Sequence, residues 1–391
     1  MIDLAGPDYA RDPHAAFAAM RAEGPLLRTK VPFVGRVWTT STHEAATAVL
    51  KSDAFVVEGR NVEGARRSGT PGVRWWMPHF VRVLTHNMLG RDDPEHRRLR
   101  QLVDGAFRRR DVLAMRDEVN TRARAMIAAL PAEADLLGEF SRPFPLHVVA
   151  DLLGLREESR ADFVRLAAPL GEIGSPLGFL RAMRPIRRLV RLVEEEIAAA
   201  RSEPRPGIVG ELVAVEDELT GEELLATVVL LLIAGYETTS HLIANAVVAL
   251  QESPDARERW LVERDPLGLE ELLRFASPVH ATKPRYVARD TELLGTRLAA
   301  GEIVMPWLGA ANADPGVFEA PDTLRIDRFP NPHLVFSTGV HFCLGAQLAR
   351  IEADAALRSI YERGGLEMLG EPRWSARIGT RQVSALPVRF R

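Results

Sequence analysis

The chain has 391 residues, 46% of them hydrophobic, and is nearly charge-balanced, with 50 basic against 53 acidic residues and a formal net charge of -3. That is enough apolar material for a large core, and the balance excludes the basic domain or stripe that nucleic-acid binding needs. A single cysteine excludes an intramolecular disulfide and fits a reducing compartment.

The N-terminal stretch has early Asp and Pro residues and neither a basic n-region nor an apolar h-region, so no signal peptide or membrane anchor is expected there. Asp12-Pro13 begins a short helix over His14 to Glu23, stopped by Gly24. Leu26 to Thr40 reads as a hairpin turning around Gly35, and Ser41 with Glu44 as a capping box for a helix to about Lys51. Glu58 to Gly90, with scattered Gly, Pro and Arg around Trp75-Trp76, reads as a long irregular loop of the kind that is usually functional. Asp93-Pro94 opens a helix to about Phe107, and further helices run to Ala200 with breaks near Pro131, Gly154 and Gly174-Ser175-Pro176. Thr220 and Glu223 form a second capping box for an unusually long helix to about Glu252, roughly 50 Å at 1.5 Å per residue. Its longest apolar run, Leu224 to Gly235, is too short to span a bilayer, so a cytoplasmic protein without a membrane span is the simplest expectation. A helix from Pro266 to Phe275 follows, then strand-like patches at Tyr286-Val287, Thr291 to Leu294 and Ile303-Val304, coil from Ala311 to Pro332, a helix from Leu344 to Glu362 and a β-like tail. Length alone suggests two or three domains, but no repeat, linker or composition shift divides the chain. Residues 1–391 therefore read as one mainly α unit.

The most informative stretch is Phe336-Ser337-Thr338-Gly339-Val340-His341-Phe342-Cys343-Leu344-Gly345. A lone cysteine is more often a small buried hydrophobe than a ligand. This one directly precedes a helix, where unpaired N–H groups and the dipole favour a thiolate. Gly339 and Gly345 allow tight turning and close approach to a flat ligand, and Phe336 and Phe342 can exclude water from the sulfur.

Midway along the long helix stands Ala234-Gly235-Tyr236-Glu237-Thr238-Thr239. Glycine inside a helix costs about 1 kcal/mol against alanine and needs a reason. By itself the segment reads as a kink in a core helix. Equally, two small residues admit a flat macrocycle and dioxygen, Thr238 can bond back to a carbonyl, and Glu237 with Thr238 offers an acid and a hydroxyl for proton delivery. Glu271 and Arg274, at i and i+3, would alone be a surface ion pair of about 0.2–0.5 kcal/mol. His96 and Arg100 share a helix face, and each alone would be a solvated surface charge. Arg97, Arg98, Arg108, Arg109 and Arg110 form either a solvated face or a basic patch for an acidic partner.

Together these segments resemble the cytochrome P-450 superfamily. Phe336 to Gly345 is similar to its haem-binding signature, and Ala346-Gln347-Leu348-Ala349-Arg350 to its bacterial members. Ala234 to Thr238 resembles its small-Gly-x-acid-Thr motif, with Tyr236 at the variable position, and Glu270 to Phe275 its Glu-x-x-Arg helix. Three departures are visible: Ser337 stands where Gly often follows the Phe, Asp93 replaces a Pro before Pro94-Glu95-His96, and Pro278 to Arg285 is one residue longer than is commonest. The likeness covers Asp12 to Arg391 and is weakest at Glu58–Gly90 and Ala161–Arg201, where members differ by substrate.

The resemblance implies a single triangular α-rich prism with a small β-rich lobe, binding haem b. Cys343 would be the axial ligand, with Phe336, Gly339, Gly345, Ala234 and Gly235 against the macrocycle and His96, Arg100, Arg285 and His341 on its propionates. In this superfamily the thiolate donates strongly to iron and favours O–O cleavage. Glu237 and Thr238 would deliver protons, and Glu271, Arg274 and Arg328 would form a buried structural triad. The implied reaction inserts one atom of O2 into a C–H or double bond of a small molecule. With no flavin or nucleotide domain, electrons would come from an external ferredoxin or flavodoxin system, and a monomer is expected. Trp75, Trp76, Met77, Met88, Val228, Leu231 and Leu232 favour a lipophilic substrate, with Val279 and Ala281 as further contacts, and Lys283 could pair with a substrate carboxylate. A peroxide-driven peroxygenase, a non-catalytic haem sensor or carrier, and a helical binding protein without haem are the alternatives.

Overall fold

A computed structural model describes residues 2–31, 34–64, 79–85, 87–167, 176–263, 265–375 and 377–391, the side chains of 81, 82, 85 and 176–181 excepted. The axis of the fold is the helix Gly221–Glu252. The Thr220 hydroxyl accepts from the Glu223 N–H at 3.2 Å while the Glu223 carboxylate accepts from the Thr220 N–H at 2.9 Å, the reciprocal cap that the sequence predicts. Helices Pro143–Leu153, Pro176–Ser202, Pro266–Phe275 and Ala346–Glu362 pack around it. This helix is long and apolar enough to cross a membrane, more than its uninterrupted apolar run suggests, but most of it is buried inside the fold as a core element.

The main sheet starts with the predicted hairpin, Leu26–Val31 antiparallel to Gly35–Thr40 with Leu26 opposite Thr40. Gly35–Thr40 pairs in parallel with Ile303–Met305, which pairs antiparallel with Arg285–Val287, and that strand holds Phe55–Val56 at the edge. This order fixes Arg285 opposite Val304 inside the lobe. The C-terminal tail closes a second sheet, Glu133–Asp135, Pro387–Phe390 and Leu366–Met368, under the helical body.

Several boundaries depart from the sequence reading. The N-cap of helix His43–Lys51 is Thr42, whose hydroxyl accepts from the Ala45 N–H at 3.2 Å; Ser41 instead donates to the Gly24 carbonyl at 2.5 Å. Both residues are good caps, and the tertiary contact takes Ser41 away. Helices Pro7–Arg11 and Pro254–Glu263 escape the sequence reading because their apolar stripes are short. Among the described residues of 58–90 are the helix His79–Thr85 and the short 3-10 turns Gly59–Asn61 and Met88–Gly90, and Pro185 lies inside Pro176–Ser202.

The N-terminal segment is clamped onto the lobe through a buried chain of donors. Trp307 Nε1–H donates to the Tyr9 hydroxyl at 3.1 Å, and that hydroxyl is hydrogen-bonded to His280 Nδ1 at 2.7 Å. Burial lowers the His280 pKa to about 3. Its folded value lies below the unfolded one, so the unfolded state binds a proton that the native state refuses. Stability therefore falls as pH drops from about 6.5 toward 3, by about 1.4 kcal/mol per pH unit. Replacing His280 by Asn should lower stability at neutral pH yet remove about 2–3 kcal/mol of the further loss between pH 6.5 and 4.5. Denaturant titrations of both proteins across that range check the slope; parallel slopes would contradict it.

Candidate active site

Cys343 does not directly precede the helix as the sequence suggests, because that helix begins at Ala346 and not at Leu344. The cysteine stands three residues before helix Ala346–Glu362, on a loop tied by its own N–H to the Phe336 carbonyl at 2.9 Å. Gly339 adopts φ 74, and a Cβ there would meet the Leu50 carbonyl oxygen at 2.5 Å, so this glycine is required by both backbone and packing. Ser337 also adopts a left-handed φ of 61, the conformation for which glycine is more usual. Gly345 is different: a Cβ added there meets nothing within 4 Å. The sulfur is accessible, yet enough protein surrounds it for burial to push the thiol pKa up, offset by the Gly345 N–H and the charges of Arg100 and Arg350. Phe336 is buried beneath the loop with the Arg350 guanidinium 4.5 Å from its ring centre. Phe342 is 46% exposed, so in this structure it shields the sulfur less than the sequence suggests.

Arg100 reaches the loop directly, donating to the Phe342 carbonyl at 2.7 Å while its Nε bonds Asp104 at 3.1 Å. The rings of His96 and His341 lie 4.2 Å apart. His341 is pushed down to about 3 by burial and by the charges of His96, Arg285, Lys283 and Arg100. Arg285 is buried with its Nε unpartnered among the described residues, and its guanidinium makes a long hydrogen bond, 3.5 Å, to the Phe55 carbonyl. The sequence-predicted set His96, Arg100, Arg285 and His341 is thus brought to one edge of the cysteine loop.

On the central helix, Leu242 shares one buried apolar cluster with Phe336 and Ala346, the residues flanking the cysteine loop. One turn earlier stands Thr238, and before it Ala234 and Leu231. Ala234 and Thr238 are exposed and Leu231 is half-buried, although the surrounding helix is core. These accessible residues interrupt a largely buried helix, on the face that also carries Leu242. Thr238 Oγ1 donates to the Ala234 carbonyl at 3.0 Å and Thr239 to the Gly235 carbonyl at 3.2 Å, the back-bonding expected for hydroxyls in a helix. At Gly235 a Cβ would meet Val149 at 2.8 Å, so this glycine serves helix packing. Tyr236 turns the other way, buried, donating to the Ala167 carbonyl at 2.8 Å. Glu237 lies 3.5 Å from the Arg377 guanidinium. Burial raises its pKa, opposed by Arg377, Arg142 and Gln382.

The predicted triad forms in full. Both oxygens of buried Glu271 accept from Arg274, at 2.7 and 2.8 Å, and Oε2 accepts from Arg328 Nε at 2.9 Å. The Arg325 N–H and the Asn331 amide complete the carboxylate at 3.0 and 3.2 Å. The two guanidinia go on to bind the carbonyls of Asn312, Pro321, Glu319 and Ala320. One carboxylate thereby gathers the coil that leads into the cysteine loop.

Other groups do not stand out in the sequence. Glu270 accepts from Arg350 at 2.6 and 2.8 Å and meets His333 at 2.9 Å, which holds its pKa down to about 2; Arg350, inside the recognised Ala346–Arg350 run, is the available signal. Asp92 accepts from the N–H groups of Val57 and Glu58, both at 2.9 Å, tying the edge strand to the helix that carries His96. Among the substrate candidates, Leu231, Val279 and Ala281 are half-buried and accessible. Met88, Val228 and Leu232 are corrections: each is sealed in the main core, where packing against neighbouring helices claims it. Trp75, Trp76 and Met77 lie outside the described residues.

A family model described as Cytochrome P450 matches residues 182–265 and 268–373. The cytochrome P450 monooxygenase PikC of Streptomyces venezuelae is 35% identical over 408 residues, covering 100% of this chain and 94% of the relative. The chain belongs to the cytochrome P450 family. Its fold is that of the P450 enzymes: the bacillaene polyketide synthase cytochrome P450 PksS of Bacillus subtilis 168 superposes with a TM-score of 0.88 at 27% identity, covering 100% of both chains. P450BioI, solved with a hexadec-9Z-enoic acid-ligated acyl carrier protein, superposes with a TM-score of 0.87 at 30% identity over 98% of this chain and 100% of that one. This P450 is therefore an oxidoreductase of a monooxygenase family whose cofactor is haem held by a thiolate.

The residues present fit that group. Cys343 is the single thiol and is accessible. Gly345 presents open space beside it, the mid-helix stripe bares Ala234 and Thr238, and buried Arg285 keeps an unpartnered donor for an anion. Cys343 would hold the iron, and His96, Arg100, Arg285 and His341 the propionates.

Proposed function

We propose that this P450 binds haem b through Cys343 and inserts one atom of O2 into a lipophilic small molecule, by hydroxylation or epoxidation, releasing the other as water. The observation that carries this reading is the accessible Cys343 loop, whose flanking Phe336 and Ala346 share an apolar cluster with the face of the central helix that exposes Ala234 and Thr238. When bound, the haem supplies the oxygen-activating chemistry. The chain supplies the rest. Thr238 offers a hydroxyl at the accessible stripe, already oriented by its bond to Ala234. Glu237, one residue before it, is shifted by burial toward holding its proton nearer neutral pH, which suits a proton donor. Leu231, Val279 and Ala281 offer apolar contact and exclude water.

Electrons come from a ferredoxin or flavodoxin. The basic patch for such an acidic donor is narrower than its sequence suggests. Arg97 bonds Asp93 at 2.7 Å, and Arg98 and Arg109 are paired with Glu223 and Glu211. The enzyme works in the cytoplasm as a monomer.

Replacing Glu237 by Gln keeps the shape and removes the proton. Product formation with O2 and reductant should fall by about 10²–10⁴-fold, while turnover driven by hydrogen peroxide persists, because peroxide arrives already reduced and protonated. Parallel assays with both oxidants check this. Equal loss in both, or none in either, would contradict the assignment. Robust wild-type turnover with peroxide alone, and none with a ferredoxin system, would favour the peroxygenase reading.

A further inference from the structure

Helix Pro176–Ser202 buries one side and bares the other. Ile186, Leu189, Val190 and Val193 are sealed in the main core, whereas Arg184, Arg187, Arg188 and Arg191 are exposed. With 3.6 residues per turn, these four arginines fall within about 100° of one another and span roughly 10 Å of the helix. They make four like-charge neighbours at i, i+3 and i, i+4: Arg184 with Arg187 and Arg188, and Arg191 with the same two. Such pairs destabilise a helix.

No hydrogen bond or ion pair relieves them among the described residues. Carboxylates on the neighbouring helices are engaged elsewhere: Asp162 with Arg165 at 2.7 Å, Glu158 with Arg156 at 3.1 Å, and Glu211 with Arg109. On the helix itself, Glu194 meets His79 at 3.8 Å and Arg201 reaches Glu216 at 2.7 Å. A local rule broken with no compensation inside the fold marks a surface that something else uses.

Carboxylates on one face of a partner helix, spaced i, i+3, i+4 and i+7, would match this row, and each guanidinium can take a carboxylate through two N–H groups. Among the described residues this helix bares no large apolar side chain, so a lipid surface would find charge but no anchor. The helix packs against Glu157–Ala167, Ile208–Val213, His79–Thr85 and the central helix, and it takes no part in the apolar cluster of Phe336 and Ala346. An electron donor gains from lying close to the Cys343 loop, because electron transfer falls off steeply with distance.

We propose that the face formed by Arg184, Arg187, Arg188 and Arg191 docks a small acidic protein through one of that protein's helices, and that this partner is not the electron donor. Only the second clause rests on the haem-thiolate reading above.

The test uses the full-length holoprotein and the double variant Arg187→Glu/Arg188→Glu, which turns all four like-charge neighbours into opposite-charge ones. Its control is Arg116→Glu/Arg297→Glu, with the same change of net charge on exposed arginines elsewhere. The probe is acyl carrier protein without an acyl chain, a small acidic helical protein whose binding reports the surface and not the substrate pocket. The double variant should bind it roughly 10–100-fold more weakly than wild type, with an unfolding midpoint equal or higher. The control should bind within about threefold of wild type, and ferredoxin should reduce all three proteins at the same rate. Wild type that fails to bind the probe, or equal weakening by the control, would overturn the proposal. So would a loss confined to the ferredoxin arm, or binding to phosphatidylglycerol vesicles in place of the protein. Probe binding does not depend on haem, so a missing thiolate band under carbon monoxide would defeat the haem-thiolate reading and leave this face standing.

Discussion

Replacing Glu271 by Leu is expected to cost about 3–5 kcal/mol, a large part of a domain's typical stability of about 5–15 kcal/mol. The carboxylate is fully buried and is the shared acceptor of Arg274, Arg328, the Arg325 N–H and Asn331. Removing it leaves two buried guanidinium charges without a counter-ion. Neither can swing to water, because each is also held by backbone carbonyls. Glu271→Gln keeps the shape and loses the charge, so it should be intermediate. Denaturant unfolding of the three proteins measures the order. Haem retention should fall with stability, since Arg328 anchors the coil before the cysteine loop. A Leu variant within about 1 kcal/mol of wild type would mean that the cluster is not the brace described here.

The second large effect is on chemistry. Cys343→Ser should leave the fold nearly intact, because the backbone N–H of residue 343 keeps its bond to Phe336 and a serine oxygen can still accept from the Gly345 N–H. A neutral hydroxyl, unlike a thiolate, donates little charge to iron. O2-dependent turnover should drop by roughly 10³-fold or more, equivalent to at least about 4 kcal/mol of barrier. Unfolding midpoints near wild type would show that the loss is chemical. Retained turnover with haem bound would point to a different ligand.

Much of this is legible in the sequence, for physical reasons. The Thr220–Glu223 box, the Pro266 start and the Leu26–Thr40 hairpin are local devices whose partners lie within a few residues. The cysteine loop and the Glu271–Arg274 pair are legible because their spacing is short. What escapes depends on residues far apart in the chain. Ser41 and Thr42 compete for one cap, and a carbonyl at Gly24 decides between them. Nothing local says that Arg377 would reach Glu237, or that Glu270 would tie Arg350 and His333 together behind the loop. The substrate candidates suffer most. Apolar residues on a helix look alike in sequence, and only packing shows Leu231 half-buried at the margin of the core while Val228 and Leu232 are sealed inside it.

The most direct test of the central claim is the absorption spectrum of the reduced protein under carbon monoxide. Sulfur ligation by Cys343 predicts a strongly red-shifted Soret band that disappears in Cys343→Ser. An unshifted band typical of a nitrogen ligand, or a protein that takes up no haem, would contradict it.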